Sequence, residues 1–247
     1  MKVVLLCAGY ATRLYPLTKD NPKPLLPVGE KPILEWILDK IKELKEVNAV
    51  YLVSNHPFSS HFEKWKKGKK FPWPLEVVDD QTCSNEERLG AIGDLKYVLS
   101  QKAVGEEDLL VIAGDNFFDF DLRRFIAFSE AMRPHAVIAV YDVRDRELAK
   151  RYGLVETDKD ERVLKFYEKP ENPSVTLASC GIYWLPVETR VLLDRYLEAG
   201  HNSDQPGYYM RWLSESDVLF AARMEGQWLD IGDPASYERA NALFRKS

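Results

Sequence analysis

The sequence predicts a single α/β domain built on a mostly parallel mixed sheet flanked by helices. Three observations carry this. Short apolar runs such as Val3-Val4-Leu5-Leu6 lack the alternation of a half-exposed strand and suit strands covered on both faces. Stripes with helical spacing lie between such runs, and the two alternate through the first two-thirds of the chain. The segments following the runs are polar or glycine-bearing, as expected where an open sheet presents the carboxyl ends of its strands.

The elements follow in order. After the first run comes a Gly- and Pro-rich loop from Gly9 to Lys31. Ile33, Leu34, Ile37, Leu38, Ile41 and Leu44 recur at three- and four-residue spacing, one amphipathic helix opening near Pro32. Ala49 to Ser54 reads as a second strand and His61 to Lys67 as a short helix. Leu75 to Val78 is a third strand, backed by a helix from about Glu86 to Leu99. Leu109 to Ala113 is a fourth, ending at Gly114-Asp115-Asn116. Four such repeats imply right-handed crossovers.

From Ala136 the texture changes. Val137 to Tyr141, Gly153 to Thr157, Arg162 to Glu168 and Leu177 to Trp184 read as strands with few helices between them. Helices resume over Val187 to Leu197, Tyr208 to Leu213 and Pro234 to Phe244. No linker, low-complexity tract or internal repeat intervenes. One domain over 1–247 is therefore expected, an α/β half (about 1–135) with a strand-richer half (about 136–247) against it.

Composition narrows the function classes. Lys and Arg number 34 against 39 Asp and Glu, a net charge of −5, which argues against neutralising a nucleic-acid backbone. A hydrophobic content of 45% in 247 residues supports a sizeable core and excludes a disordered chain. Cys7, Cys83 and Cys180 are odd in number and widely spaced, which excludes a disulfide framework or a CxxC-type zinc site and predicts reduced thiols in a cytoplasmic protein. MKVVLLCAG opens like a signal peptide, but the apolar run ends by Gly9 and Thr12-Arg13 follow, so it reads as a buried strand. No apolar stretch is long enough for a membrane helix.

Polar residues cluster where the strands stop, over Gly9 to Lys23, Asp79 to Gly90 and Gly114 to Asn116, and point to one crevice. Ala8, Gly9 and Ala11 are small enough for the backbone to wrap an anion with its N–H groups inward. Arg13 adds a planar fork suited to phosphate oxygens. Lys23 stands between Pro22 and Pro24, which limit backbone freedom on both sides. Neither GxGxxG nor GxxxxGK[ST] occurs, so the loop is a phosphate cradle of a third kind.

The segment LCAGYATRLYPLTKDNPKPLLPVGEKPIL resembles the signature of the sugar-phosphate nucleotidylyltransferases, G-G-x-G-T-R-L-x-P-x-T followed by K-P-L-L-P-V. Gly114-Asp115-Asn116, Glu168-Lys169-Pro170 and Trp228-Leu229-Asp230-Ile231-Gly232 match the same family in order, so the resemblance covers nearly the whole chain. Within the family the chain is most similar to glucose-1-phosphate thymidylyl- and uridylyltransferase-like enzymes. The resemblance implies a Rossmann-like fold of the nucleotide-diphospho-sugar transferase type. It also implies Mg²⁺ held by Asp115 and Asp230, and catalysis by Arg13 and Lys23 on the nucleotide phosphates, with Lys23 nearest the α-phosphorus. Nucleotide contacts fall on Ala8, Gly9, Ala11, Thr12, Gln81 and Gly90. Acceptor contacts fall on Asn116, Gly153, Glu168 and Lys169, with Lys169 on the phosphate and Glu168 on sugar hydroxyls.

The implied reaction joins a nucleoside triphosphate, a pyrimidine by preference, to a sugar 1-phosphate, releasing pyrophosphate. The attacking phosphate is already ionised at neutral pH, so no protein nucleophile or general base is needed, and dispersed His56, His61, His135 and His201 read as structural or surface residues. Two alternatives stay open: a non-sugar phosphate acceptor, and a non-catalytic nucleotide- or sugar-binding regulatory subunit. Departures are Ala8 and Ala11 in place of two glycines, and Ala178-Ser179-Cys180-Gly181 where an Asn-bearing sugar contact is usual. Residues 185 to 247 show no hexapeptide repeat, so no C-terminal β-helix is expected, and a homo-oligomer remains open.

Overall fold

The computed structural model describes residues 1–102 and 104–244. Its first half runs through β1 (Lys2–Leu6), a small ribbon of β2 (Pro27–Val28) and β3 (Lys31–Pro32), and α1 (Ile33–Ile41). Next come β4 (Ala49–Ser54), α2 (His56–Lys66), β5 (Leu75–Asp79), α3 (Ala91–Gln101) and β6 (Leu109–Ala113). β1 lies between β4 and β6, parallel to both, and β4 pairs with β5 in the same sense. Val3 and Leu5 face one apolar cluster with Leu34 and Ile37 of α1, while Val4 faces another with Leu95 and Val98 of α3. Burial on both faces is why the strand is apolar without alternation.

The second half begins with β7 (Asn116–Phe118), α4 (Leu122–Ala131), β8 (Ala136–Asp142) and α5 (Arg146–Ala149). β9 (Gly153–Thr157), β10 (Val163–Glu168) and β11 (Leu177–Leu185) follow, then α6 (Arg190–Glu198), α7 (Pro206–Ser216), β12 (Leu219–Arg223), β13 (Trp228–Asp230) and α8 (Pro234–Phe244). β11 runs antiparallel beside β6 and joins the halves into one mixed sheet, β10-β9-β11-β6-β1-β4-β5, with β8 on β11 and β12 on β8. The expected fold class holds, with the parallel pairs concentrated in the first half. Among the described residues no helix is long and apolar enough to cross a membrane.

Several boundaries differ from those read in the sequence. α2 opens at His56, not His61, because Asn55 caps it: its side chain accepts from the Phe58 N–H at 3.1 Å. α3 opens at Ala91, not Glu86, because Gly90 stands at φ 79°, outside helical backbone. α4 and the edge strand β12 had no expectation. Leu122, Phe125, Ile126 and Ser129 do form a buried helical face, but adjacent arginines and a serine within it blur the stripe. The strands β1, β4, β5 and β6 are parallel, so their carboxyl ends share one edge. The three polar segments that follow β1, β5 and β6 therefore meet there.

Candidate active site

The loop after β1 is held from below. Asn55, fully buried, donates from Nδ2 to the Ala8 carbonyl at 2.9 Å, and Thr18 Oγ1 donates to the Ala11 carbonyl at 2.8 Å. Ala11 stands at φ 48°, ψ 40°, the left-handed backbone that a glycine adopts without strain. Nothing lies within 4 Å of the place where a Cβ on Gly9 would sit, so the loop opens toward free space there. Arg13 lies in a 3₁₀ turn, Thr12–Leu14, and Lys23 opens a second, Lys23–Leu25, directly after Pro22. Lys23 is 7% exposed, and its Nζ lies 2.9 Å from Asp115 Oδ2.

Asp115 and Asp230 are far apart in sequence and adjacent in space. β7 and β13 form an antiparallel ribbon that sets Asn116 opposite Asp230, and the Ile231 N–H donates to the Asp115 carbonyl at 3.1 Å. Burial first, then the Asp115 charge, pushes the Asp230 carboxyl up to about 6, against the pull of Lys23 and Arg13. A Cβ on Gly232 would lie 3.2 Å from Asp230 Oδ2 and 3.6 Å from Arg13 Nη2, so those two groups flank the glycine. Two carboxylates crowded in this way suit a hard divalent cation, which relieves their repulsion. Among the described residues no group of three or more His, Cys, Asp or Glu forms a cage.

Two cavities meet at this point. One, of about 320 Å³, is lined by Ala8, Gly9, Ala11, Arg13, Lys23 and Asp115, and reaches Asp80, Arg88, Gly90 and Asp94. The other, of about 220 Å³, is lined by Asn116, Gly153, Glu168, Lys169 and Asp230 together with Tyr152, Phe166, Tyr183 and Trp228. Ala113, Asp115, Asp204 and Pro206 belong to both walls. Glu168 ends β10 with its side chain against two glycines. A Cβ on Gly207 would collide with Oε2, and one on Gly153 would come within 3.1 Å of it. Lys169, at φ 45°, donates from Nζ to Gln205 Oε1 at 2.9 Å and lies 3.3 Å from Glu168 Oε1. Asn116 accepts from the Trp228 indole N–H at 2.9 Å and donates to the Ala113 carbonyl at 3.3 Å.

Of the residues expected at the site, Gln81 and Thr12 lie outside these walls. Gln81, at φ 67°, is exposed, and its amide turns back to donate to the Asp79 carbonyl at 3.3 Å. Thr12 is exposed as well. Gly90 does line the first cavity, packed so closely on residues 203–204 that a Cβ would meet Asp204 Cα at 2.3 Å. Sequence reasoning missed Asp80, Asp94 and the Arg88–Asp204 pair, whose Nε–Oδ1 and Nη2–Oδ2 distances are 2.8 and 3.0 Å. One signal was available for Asp94: it falls among Ile92, Leu95 and Val98, on the buried face of a helix.

Residues 2–247 match the model of the family described as nucleotidyl transferase. The bifunctional protein GlmU of Methanococcus vannielii is 30% identical over the whole of this chain and 56% of its own length. A UTP–glucose-1-phosphate uridylyltransferase of Synechocystis is 29% identical over 97% of this chain and 62% of its own length. The chain thus spans a little over half the length of the curated relatives it matches. A crystal structure from Bacillus anthracis, described as a candidate glucose-1-phosphate thymidylyltransferase in complex with sucrose, superposes with a TM-score of 0.85. It is 25% identical, over 100% of this chain and 96% of that one. Family match, relatives and fold agree: the chain belongs to the nucleotidyl transferase family, in the company of sugar-phosphate nucleotidylyltransferases.

Proposed function

We propose that the protein is a Mg²⁺-dependent sugar-1-phosphate nucleotidylyltransferase of the cytoplasm. In the reaction a phosphate oxygen of a sugar 1-phosphate attacks the α-phosphorus of a nucleoside triphosphate, a pyrimidine by preference. The new P–O bond forms as the bond to the β-phosphate oxygen breaks, giving an NDP-sugar and pyrophosphate. The observation that carries the reading is the junction of the two cavities at Asp115, with Lys23 at the same carboxylate.

In this reading Ala8, Gly9 and Ala11 present backbone to the triphosphate, and Arg13 and Lys23 offset its charge. Lys23, buried and fixed by its 3₁₀ turn, stabilises the charge that develops at the α-phosphorus. Glu168 orients acceptor hydroxyls, Lys169 meets the acceptor phosphate, and Gly153 and Asn116 shape the floor of that cavity. Asp115 and Asp230 would hold Mg²⁺, which would supply charge compensation between the two anions. Positioning and charge compensation then suffice for in-line displacement, without a protein nucleophile.

The test is pyrophosphate release with Mg²⁺ over ATP, GTP, CTP, UTP and dTTP, each against sugar 1-phosphates and non-sugar phosphates such as choline phosphate. Release that requires one triphosphate and one sugar 1-phosphate supports the reading. Release only with a non-sugar phosphate, or none with any pair, overturns it.

A further inference from the structure

The first cavity has two ends of opposite character. Arg13 and Lys23 line it and draw on the Asp230 carboxyl, whereas Asp80 and Asp94 line it and act on one another. Phosphates are drawn to the cationic end and repelled from the acidic one, which leaves the acidic end to the nucleobase. This step rests on the reading of the cavity as the nucleotide seat. Arg88, a cation of the same wall, is engaged by Asp204 through both carboxylate oxygens.

The two acids differ in what serves them. Asp80 Oδ1 accepts from the Thr82 N–H at 2.7 Å and from Thr82 Oγ1 at 2.8 Å. Asp94 is 5% exposed, and its Oδ1 finds no hydrogen-bond donor among the described residues. Its own surroundings, Ile92, Leu95 and Val98 on α3, are apolar. A buried acceptor without a donor is costly unless a ligand supplies one. The side chain carrying it lines the cavity.

We propose that Asp94 is a specificity-determining residue that accepts a hydrogen bond from an exocyclic amine of the nucleobase, with Asp80 as its positioning partner. The site on this account takes a cytosine nucleotide in preference to uracil or thymine. The selection follows from the edges of the bases. Cytosine offers its N4 amine beside a C–H, whereas uracil and thymine offer the O4 acceptor at that place. Against two carboxyl groups, an acceptor is repelled and an amine is welcomed, so one contact both attracts the right base and rejects the wrong ones. Burial and the Asp80 charge hold the Asp94 carboxyl high, at about 8, so the pair shares a proton and remains acceptor-rich with four oxygens.

The experiment is calorimetric titration of CTP, UTP, dTTP, ATP and GTP, with Mg²⁺ and no acceptor, into the wild-type protein and Asp94→Asn. CTP should bind at least tenfold more tightly than UTP or dTTP. In Asp94→Asn, whose amide can donate to O4, that ratio should fall toward one while CTP still binds. The wild-type ratio is a test in itself and does not depend on the variant's folding. Equal or tighter binding of UTP or dTTP overturns the proposal, as does an unchanged ratio in a variant with native circular dichroism. ATP or GTP as the tightest ligand, with the preference lost in Asp94→Asn, supports the amine contact and overturns the pyrimidine reading instead. Binding of no triphosphate overturns both.

Discussion

The two cavities that meet at Asp115 are built by different means. The wall on the β1 side is built on loops that follow parallel strands, brought to one edge by topology and tied down by Asn55 and Thr18. The wall on the β10 side is largely side chain. Tyr152 and Trp228 pack with ring centroids 4.8 Å apart, and Glu168 is fitted against Gly153 and Gly207. Loops fixed by the path of the chain suit, on the proposed function, the phosphates that every triphosphate has in common, and leave the base to the Asp94 side chain. A side-chain wall changes with each substitution, so on the proposed function acceptor choice is expected there.

The strongest way to break that division is at the junction, where both walls fail together. Asp230→Ala or Asp115→Ala should lower Mg²⁺-dependent pyrophosphate release at least ~1000-fold while circular dichroism stays native. Turnover within tenfold of wild type in either variant would remove the metal assignment. Lys23→Ala comes next. Loss of a buried donor at the developing charge should cost at least ~100-fold in kcat. An effect of tenfold or less makes Lys23 a positioning residue.

A smaller effect separates the two walls. At Gly207 an added Cβ would overlap Glu168 Oε2, so Gly207→Ala must push that carboxylate aside. The acceptor KM should rise about tenfold with the triphosphate KM unchanged, because the atoms nearest that Cβ belong to Glu168 and Phe166 of the other wall. Equal rises in both would mean that the walls are mechanically one.

The division also explains what the sequence could disclose. Motifs on the β1 side are local: Ala8 to Arg13 and Lys23 are read off one stretch because the chain itself forms that wall. The Asp115–Asp230 ribbon is different, since 115 positions separate its partners and only the pairing of β7 with β13 closes the gap. Gln81 shows the limit of carrying a role onto a position. It occupies the matching place, but its amide donates to the Asp79 carbonyl and Asp80 is the neighbour that lines the cavity. Ala11 took the strained conformation that its place in a glycine pattern implies, and Lys169 shares that backbone region. Neither strain is visible in composition or periodicity. The fold class needed only the alternation of runs and stripes, which packing on β1 enforces.

The smallest effect sharpens the contrast within the β1-side wall itself, between its cationic and acidic ends. Asp94 is held at about 8 by burial and by Asp80, whereas an unfolded carboxyl titrates near 4. Between those two values the unfolded chain has released a proton that the folded protein keeps. Folding stability therefore falls as pH rises from about 4 to 8, by up to roughly 1.4 kcal/mol per pH unit, and levels off above. Asp94→Asn has no proton to lose and escapes that decline. Its Tm should exceed that of wild type by a margin that widens by at least ~3 °C from pH 5 to pH 8, as measured by thermal melts across that range. A flat margin for Asp94→Asn would mean that the proton is not held there, and that the acidic end costs the fold no more than any other polar surface.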